Sequence, residues 1–248
     1  MIYAGRARVR TVGEAAPVNE NARLEMGKLL AAGLADNDAQ SARETYCQTV
    51  TRAFKVSGEM FDLAGHALHD ENAQALALVA RIGAALGQGA CDLLTANNPY
   101  AAAALIRQLV EVEYLLWTFA DDITDASAWL HASRSERMQR FSPRVMRKRS
   151  QGRFRDREYQ THCERGGHPD PDGRVLLDGL REFDVTRSMW ADLGHHLERA
   201  WGLFMAASAT SKYLGDYLSG GEAVETERRR WHERDKLAER LPAPPWAT

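Results

Sequence analysis

The sequence has few of the features that mark secreted or modular proteins. Its 248 residues include only three cysteines, at positions 47, 91 and 163, with no C-x-x-C pair. This odd number argues against a disulfide framework and a zinc ribbon, and it favours a reducing cytoplasm. No Gly-, Ser- or Pro-rich linker divides the chain, so we expect one domain at residues 21–241. A loose segment at 1–20 and an extended tail at 242–248 are expected to flank it.

Long apolar runs are also missing. A membrane helix needs about 20 predominantly apolar residues, and the longest candidates are interrupted by Arg81 and by Arg107 with Glu111. The first ten residues, MIYAGRARVR, carry cations without the apolar core of a signal peptide. We therefore expect no membrane association.

Strand signals are sparse, whereas apolar residues recur at spacings of three and four along most of the chain. One helix is predicted from about residue 72 to 95, where Asn97-Asn98-Pro99 ends it. The next is predicted from about residue 100 into the aspartates near 121, and helical spacing returns between 175 and 209. The pattern predicts an all-α protein, a bundle of about six to eight helices. A further stripe consists of Tyr46, Val50, Phe54, Phe61, Ala64 and Leu68.

Positive charge is concentrated between residues 134 and 157. This segment has ten arginines and lysines against two acids, a local net charge of +8. Such a surface is typical of a protein that contacts RNA, a diphosphate or another phosphate-bearing ligand. Alternatively, the cations pair with Asp121, Asp122 and Asp125 or with acids of another subunit. The candidate phosphate-binding residues are Arg147, Lys148, Arg149, Arg153 and Arg155.

The stretch FADDITD at residues 119–125 contains D-D-x-x-D and resembles the first magnesium motif of class I terpenoid synthases. The resemblance implies a Mg²⁺-dependent enzyme acting on a prenyl diphosphate. A partial second motif follows in FDVTRSMWAD, where Val185 and Ala191 depart from the family pattern. Only about sixty residues separate the two motifs, fewer than this family has. The metal ligands under this alternative are Asp121, Asp122, Asp125, Asp184, Ser188 and Asp192.

A second resemblance covers roughly residues 75–180. An R-x-x-x-E helix at 107–111, then Tyr-Gln-Thr-His-Cys at 159–163 and Gly-Gly-His-Pro at 166–169 resemble uncharacterised bacterial helical proteins related to HEPN domains. That resemblance implies a homodimer that binds RNA, or a ribonuclease that needs no metal cofactor. Its R-x(4–6)-H pair is matched by Arg157 or Arg155 with His162, and His168 is the further catalytic candidate. A histidine of near-neutral pKa can transfer the 2′-hydroxyl proton while a guanidinium stabilises the phosphate.

The same region also permits a purely structural interpretation. Arg107 and Glu111 lie four residues apart on an apolar helix, so burial would require partners, and Tyr159 is a suitable one. Arg107, Glu111, Tyr159 and Cys163 are therefore predicted to form a polar cluster, which is compatible with a non-catalytic interaction module. A thiol nucleophile or metal triad of Cys163 with His162 and His168 is another possibility. The sequence assigns no role to His195 and His196.

Overall fold

The computed structural model describes residues 31–154, 156–164, 169–178, 184–209, 221–235 and 238, without the side chains of 156–158. These residues form helices and turns with no strand, which confirms the predicted all-α fold. The terminal segments 1–20 and 242–248 lie outside the described residues. The helices are α1 (Asn37–Leu68), α2 (Glu71–Thr95), α3 (Pro99–Asp121), α4 (Thr124–His131), α5 (Arg134–Arg140), α6 (Pro143–Arg149), α7 (Asp156–His162), a 3-10 turn (Pro171–Gly173), α8 (Arg174–Asp178), α9 (Val185–Ala209) and α10 (Gly221–Arg234).

The long helices begin and end where side chains satisfy the backbone. The Asp36 carboxylate accepts hydrogen bonds from the first backbone N–H groups of α1. Asn98 caps α3 in the same way, and Pro99 opens that helix. Between α2 and α3, Asn97 adopts a left-handed conformation with φ of 56°. Asparagine tolerates this conformation better than most residues, so the turn directs α3 back along α2.

The core lies among α1, α2, α3 and α9, and α10 packs against α1. Phe54 of α1 meets Trp201 of α9 edge to face, with ring centroids 5.2 Å apart. Phe204 of α9 packs on Phe54 and on Phe61. These rings are largely or fully buried. The apolar stripes of the sequence therefore face one another, as in an antiparallel bundle.

The short helices α6 and α7 pack against α3, and α5 contacts α6. Phe154, between α6 and α7, is buried with its ring centroid 4.2 Å from that of Tyr114. Met146 of α6 is also buried. These contacts bring α7 against α3, close to the polar side chains of α9.

By length and composition, α2 could cross a membrane, since an 18-residue window has a mean hydropathy of 1.3. Half of that window is buried within the bundle. Core helices of globular proteins have the same properties, so this is weak evidence for a membrane span.

Candidate metal centre

Three side chains from two helices converge on one point. Asp192 and His196 lie four residues apart on α9 and share one face of that helix. His162, the last residue of α7, approaches them from the opposite side. One potential ligand atom from each residue lies within 4.8 Å of the others. This group is hereafter the histidine cluster.

The spacing within the histidine cluster suits a transition-metal ion. The Nε2 atoms of His162 and His196 are 3.0 Å apart, and His196 Nε2 is 3.6 Å from Asp192 Oδ1. Metal–nitrogen and metal–oxygen bonds of about 2.1 Å in a tetrahedral site separate the ligand atoms by about 3.4 Å. An ion could therefore sit between these groups after small side-chain shifts.

Glu113 of α3 supports the histidine cluster from the core. Its carboxylate is hydrogen-bonded to Nδ1 of His196, and both side chains are 1% exposed. Because an ionised carboxylate only accepts hydrogen bonds, Nδ1 carries the proton. In the neutral imidazole, Nε2 then presents its lone pair toward His162. Metal-binding histidines commonly have such a carboxylate partner, which fixes their tautomer and ring orientation.

Without a metal ion, the charges around the histidine cluster favour a proton shared between His196 and His162. Burial alone would lower the pKa of His196, but the Glu113 carboxylate outweighs this effect and raises the pKa to about 9. His196 is then protonated at neutral pH and can donate from Nε2 to His162. A cation bound between the two rings would replace that proton.

The surroundings of the cluster differ on its two sides. His195 is buried on the next face of α9, and burial followed by the nearby Arg199 lowers its pKa to about 4. Arg199 Nη1 lies 3.9 Å from the second oxygen of Glu113. On the outer side, the Asp192 side chain is 35% exposed. The cluster is therefore enclosed by the core on one side and open to solvent at Asp192.

The predicted polar cluster lies one turn before His162 on α7. The Tyr159 hydroxyl donates to Glu111 Oε1 at 2.9 Å and accepts from Arg107 Nη2 at 3.2 Å. Arg107 Nη2 is also 2.9 Å from Glu111 Oε1. Burial lowers the pKa of Arg107, but the neighbouring Cys163 and Glu111 outweigh this effect and raise it above its usual value. The Arg147 guanidinium lies over the Tyr159 ring, 4.3 Å from its centroid. The structure thus brings all four predicted residues of this group together.

The basic segment divides into paired and exposed cations. Arg149 binds both Asp121 and Asp125, and Arg140 binds Asp125 at 2.8 Å. Part of the segment therefore pairs with the acids of the D-D-x-x-D stretch, one of the two interpretations that the sequence permits. Of the predicted phosphate-binding residues, Lys148 and Arg153 are exposed, and Arg155 lies outside the described residues.

The two aspartate motifs lie in different environments. Asp122 accepts hydrogen bonds from the backbone N–H and hydroxyl of Thr124. At the start of α9, Asp184 pairs with Arg187, and Ser188 is exposed. Among the described residues, no hydrogen bond or ion pair joins the first motif to the second. Magnesium binding by these residues stays a prediction, and Asp192 is the member that the structure places beside histidines.

The HEPN-type residues are described only in part. His162 lies in the histidine cluster, whereas the Arg157 side chain and all of His168 lie outside the described residues. The R-x(4–6)-H pair therefore stays a prediction.

Sequence reasoning missed Glu113 and His196. A signal for His196 was present, because Asp192 and His196 form a D-x-x-x-H pair that places two ligand types on one helical face. Glu113 gave no comparable signal, since it follows Glu111 by two residues and points to a different side of α3. Only the packing of α3 against α9 brings it to His196.

No protein-family model, curated protein or solved structure matches this chain.

Proposed function

We propose that the protein is a metal-dependent hydrolase whose ion is held by His162, Asp192 and His196. The observation that carries this proposal is the convergence of two imidazoles and a carboxylate, with Glu113 fixing the inner imidazole. Nitrogen-rich ligand sets favour Zn²⁺, Fe²⁺ or Co²⁺ over Mg²⁺. This ligand set differs from the all-oxygen magnesium site that the aspartate motifs suggest.

Three protein ligands leave at least one coordination position for water or substrate, which is typical of catalytic rather than structural zinc sites. A bound zinc ion lowers the pKa of its water to about 7, which supplies a nucleophile at neutral pH. In this protein, Glu113 would keep His196 in the tautomer that binds metal through Nε2. The exposed side of Asp192 supplies the route by which substrate reaches the ion.

A phosphodiester such as RNA is the substrate class that the charges favour. The Arg147 guanidinium lies on the ring of Tyr159, one turn from His162, and exposed Lys148 and Arg153 belong to the same basic segment. Cations of this kind neutralise phosphates and align the ester with the ion.

Zinc titration of metal-free protein tests the metal centre. Loss of one ligand, in His196→Gln or His162→Ala, should weaken Zn²⁺ binding more than about 100-fold, since loss of a supporting residue alone costs about 10- to 100-fold. His195→Gln is the matched control, because His195 is the buried neighbour outside the cluster. Wild-type protein that binds no Zn²⁺, Fe²⁺ or Co²⁺ would contradict the proposal.

Metal-independent RNA cleavage is the second candidate, and the hydrogen-bonded series Glu113–His196–His162 favours it. A buried carboxylate that orients one histidine, which in turn contacts a second histidine that is 11% exposed, is suited to proton transfer. The two candidates respond differently to EDTA. Cleavage of an unstructured RNA that stops in EDTA and returns with Zn²⁺ supports the first, whereas cleavage that continues in EDTA supports the second. Both require His162, and the homodimer that the HEPN resemblance implies stays a prediction.

A further inference from the structure

The ligand His162 is carried by the element of the site that most needs outside support. α7 has only seven residues, and isolated helices shorter than about 12 to 15 residues are marginal in water. Asp192 and His196, in contrast, lie within the 25-residue helix α9, whose residues fill the core. The position of His162 therefore depends on what holds α7 against the bundle.

Tyr159 provides a polar link between α7 and α3. Its hydroxyl, Arg107 Nη2 and Glu111 Oε1 are mutually within 3.2 Å, so the three groups form a closed triangle of hydrogen bonds. Tyr159 and His162 are three residues apart, which places them on neighbouring parts of the same helical face. The hydroxyl thus attaches to α3 the turn of α7 that precedes the ligand His162.

The ring of Tyr159 is held as well as its hydroxyl. Arg147 of α6 covers the ring at 4.3 Å, and Tyr114 of α3 lies with its ring centroid 6.0 Å away. Burial, followed by the hydrogen bond to Glu111, raises the pKa of Tyr159 to about 12, so the hydroxyl stays protonated and donates throughout the neutral range. Two helices therefore fix the direction of this side chain.

We infer that Tyr159 is a positioning residue for the metal centre, and that its hydrogen bond to Glu111 sets metal affinity by holding His162 opposite His196. This inference rests on the proposed metal centre. Tyr159 does not bind the ion. Its effect passes through α7, because a small rotation or shift of this helix would separate the two Nε2 atoms that now lie 3.0 Å apart.

The positioning of His162 and the stability of the bundle depend on different contacts. The contacts of α1, α2, α3 and α9 form the core without the Tyr159 hydroxyl. Removal of that hydroxyl should leave the bundle folded and change the site. A residue with only a structural role would lower the melting temperature and leave the metal affinity of the folded protein unchanged.

The test compares the Zn²⁺ dissociation constants of wild type, Tyr159→Phe and His162→Ala, measured by competition with a chromophoric chelator. Tyr159→Phe should bind Zn²⁺ about tenfold more weakly, the weight of one hydrogen bond to a charged acceptor. The visible spectrum of the Co²⁺-loaded protein should change as well, because the angle of the His162 ligand changes. Far-UV circular dichroism should match that of wild type.

Tyr46→Phe is the matched control. Tyr46 is a fully buried tyrosine of α1 whose hydroxyl has no hydrogen-bond partner among the described residues. This variant therefore removes the same atom from a packed ring without breaking a hydrogen bond, and Zn²⁺ affinity should stay within about twofold of wild type.

A second pair of variants decides the question if Tyr159→Phe fails to fold. Glu111→Gln keeps an acceptor oxygen for the Tyr159 hydroxyl, whereas Glu111→Ala removes it. The alanine variant should lose about tenfold in affinity and the glutamine variant clearly less. Equal affinity of Tyr159→Phe and wild type, or equal losses in the two Glu111 variants, would overturn the positioning role. If the wild-type protein binds none of Zn²⁺, Fe²⁺ and Co²⁺, the proposed metal centre itself is contradicted.

Discussion

At the scale of single residues, His196 and Glu113 place an imidazole and a carboxylate where the protein excludes water. An isolated charge is costly in such a place, so each group depends on the other for compensation. This arrangement makes the metal-free protein sensitive to pH in a window that ordinary surface histidines do not affect. The charged and titratable groups that face His196 are Glu113 from α3, His162 from α7, and Asp192, His195 and Arg199 from α9.

The pH dependence of stability follows from the His196 pKa. The folded value of about 9 lies above the unfolded value near 6.5. A raised pKa stabilises the fold fully below pH 6.5, and the contribution is lost as pH rises through 9. In EDTA, the free energy of unfolding should therefore fall by about 2 to 3 kcal/mol between pH 6.5 and 9.5. Urea unfolding at several pH values measures this change.

His196→Gln provides the comparison for that experiment. The variant lacks the titrating imidazole, so its free energy of unfolding should change much less across the same window. If wild type and His196→Gln showed the same slope between pH 6.5 and 9.5, the coupling of His196 to Glu113 would not control stability there.

At the scale of helices, Asp125 attaches the basic segment to the rest of the fold. Its carboxylate is 8% exposed and accepts from Arg140 of α5 and Arg149 of α6. The two helices have seven residues each and depend on contacts of this kind for their placement. Asp121, which shares Arg149, is 51% exposed and contributes from the surface.

This difference predicts unequal effects of two similar substitutions. Asp125→Asn should lower the free energy of unfolding by about 1 to 3 kcal/mol, because buried hydrogen bonds to charged groups are lost. Asp121→Asn should cost less than about 1 kcal/mol, the usual range for an exposed ion pair. Urea unfolding without added metal distinguishes them. If the two substitutions changed the free energy of unfolding equally, and only when Mg²⁺ was present, the result would instead favour Mg²⁺ binding by the aspartate motif.

The helices themselves were predictable, and their partners were not. The end of α2 at Thr95 and the start of α3 at Pro99 follow from Asn97-Asn98-Pro99, a local signal. The stripe of α1 was correct at Phe54 and Phe61 but wrong at Leu68, which is 51% exposed because it lies at the end of the helix, where little packs against it. Periodicity indicates which face is apolar and does not say how far the neighbouring helix extends.

In the candidate site, too, the sequence indicated local features but not which helices meet. The Arg107–Glu111 spacing indicated that these residues need a partner, and Tyr159 lies where that argument placed it. His196 and Glu113 are 83 residues apart in sequence and meet only because α3 and α9 pack together. Local sequence patterns therefore indicated the polar residues that join α3 and α7. The set of metal ligands and its Glu113 partner depend on contacts between helices that are far apart in the sequence.

At the scale of the whole molecule, one buried ion pair joins the two ends of the described chain. Arg43 of α1 and Asp235, which follows α10, are 192 residues apart in sequence and at most 1% exposed. Asp235 also accepts from Trp231 Nε1 at 2.8 Å, and Arg43 donates to Gln40 and to the Gly33 backbone oxygen. This network fixes α10 on the bundle beside α1 and α9.

Loss of either partner should be costly because the other charge would stay buried. Arg43→Met and Asp235→Ala should each lower the free energy of unfolding by about 3 to 5 kcal/mol, the range for breaking a buried pair. The double variant should lose clearly less than the sum, since no uncompensated charge is left. The exposed pair Arg174–Asp178 within α8 is the control, and its removal should cost about 0.5 kcal/mol or less. Urea unfolding followed by tryptophan fluorescence measures wild type and the four variants. Additive losses would show that Arg43 and Asp235 stabilise α10 independently.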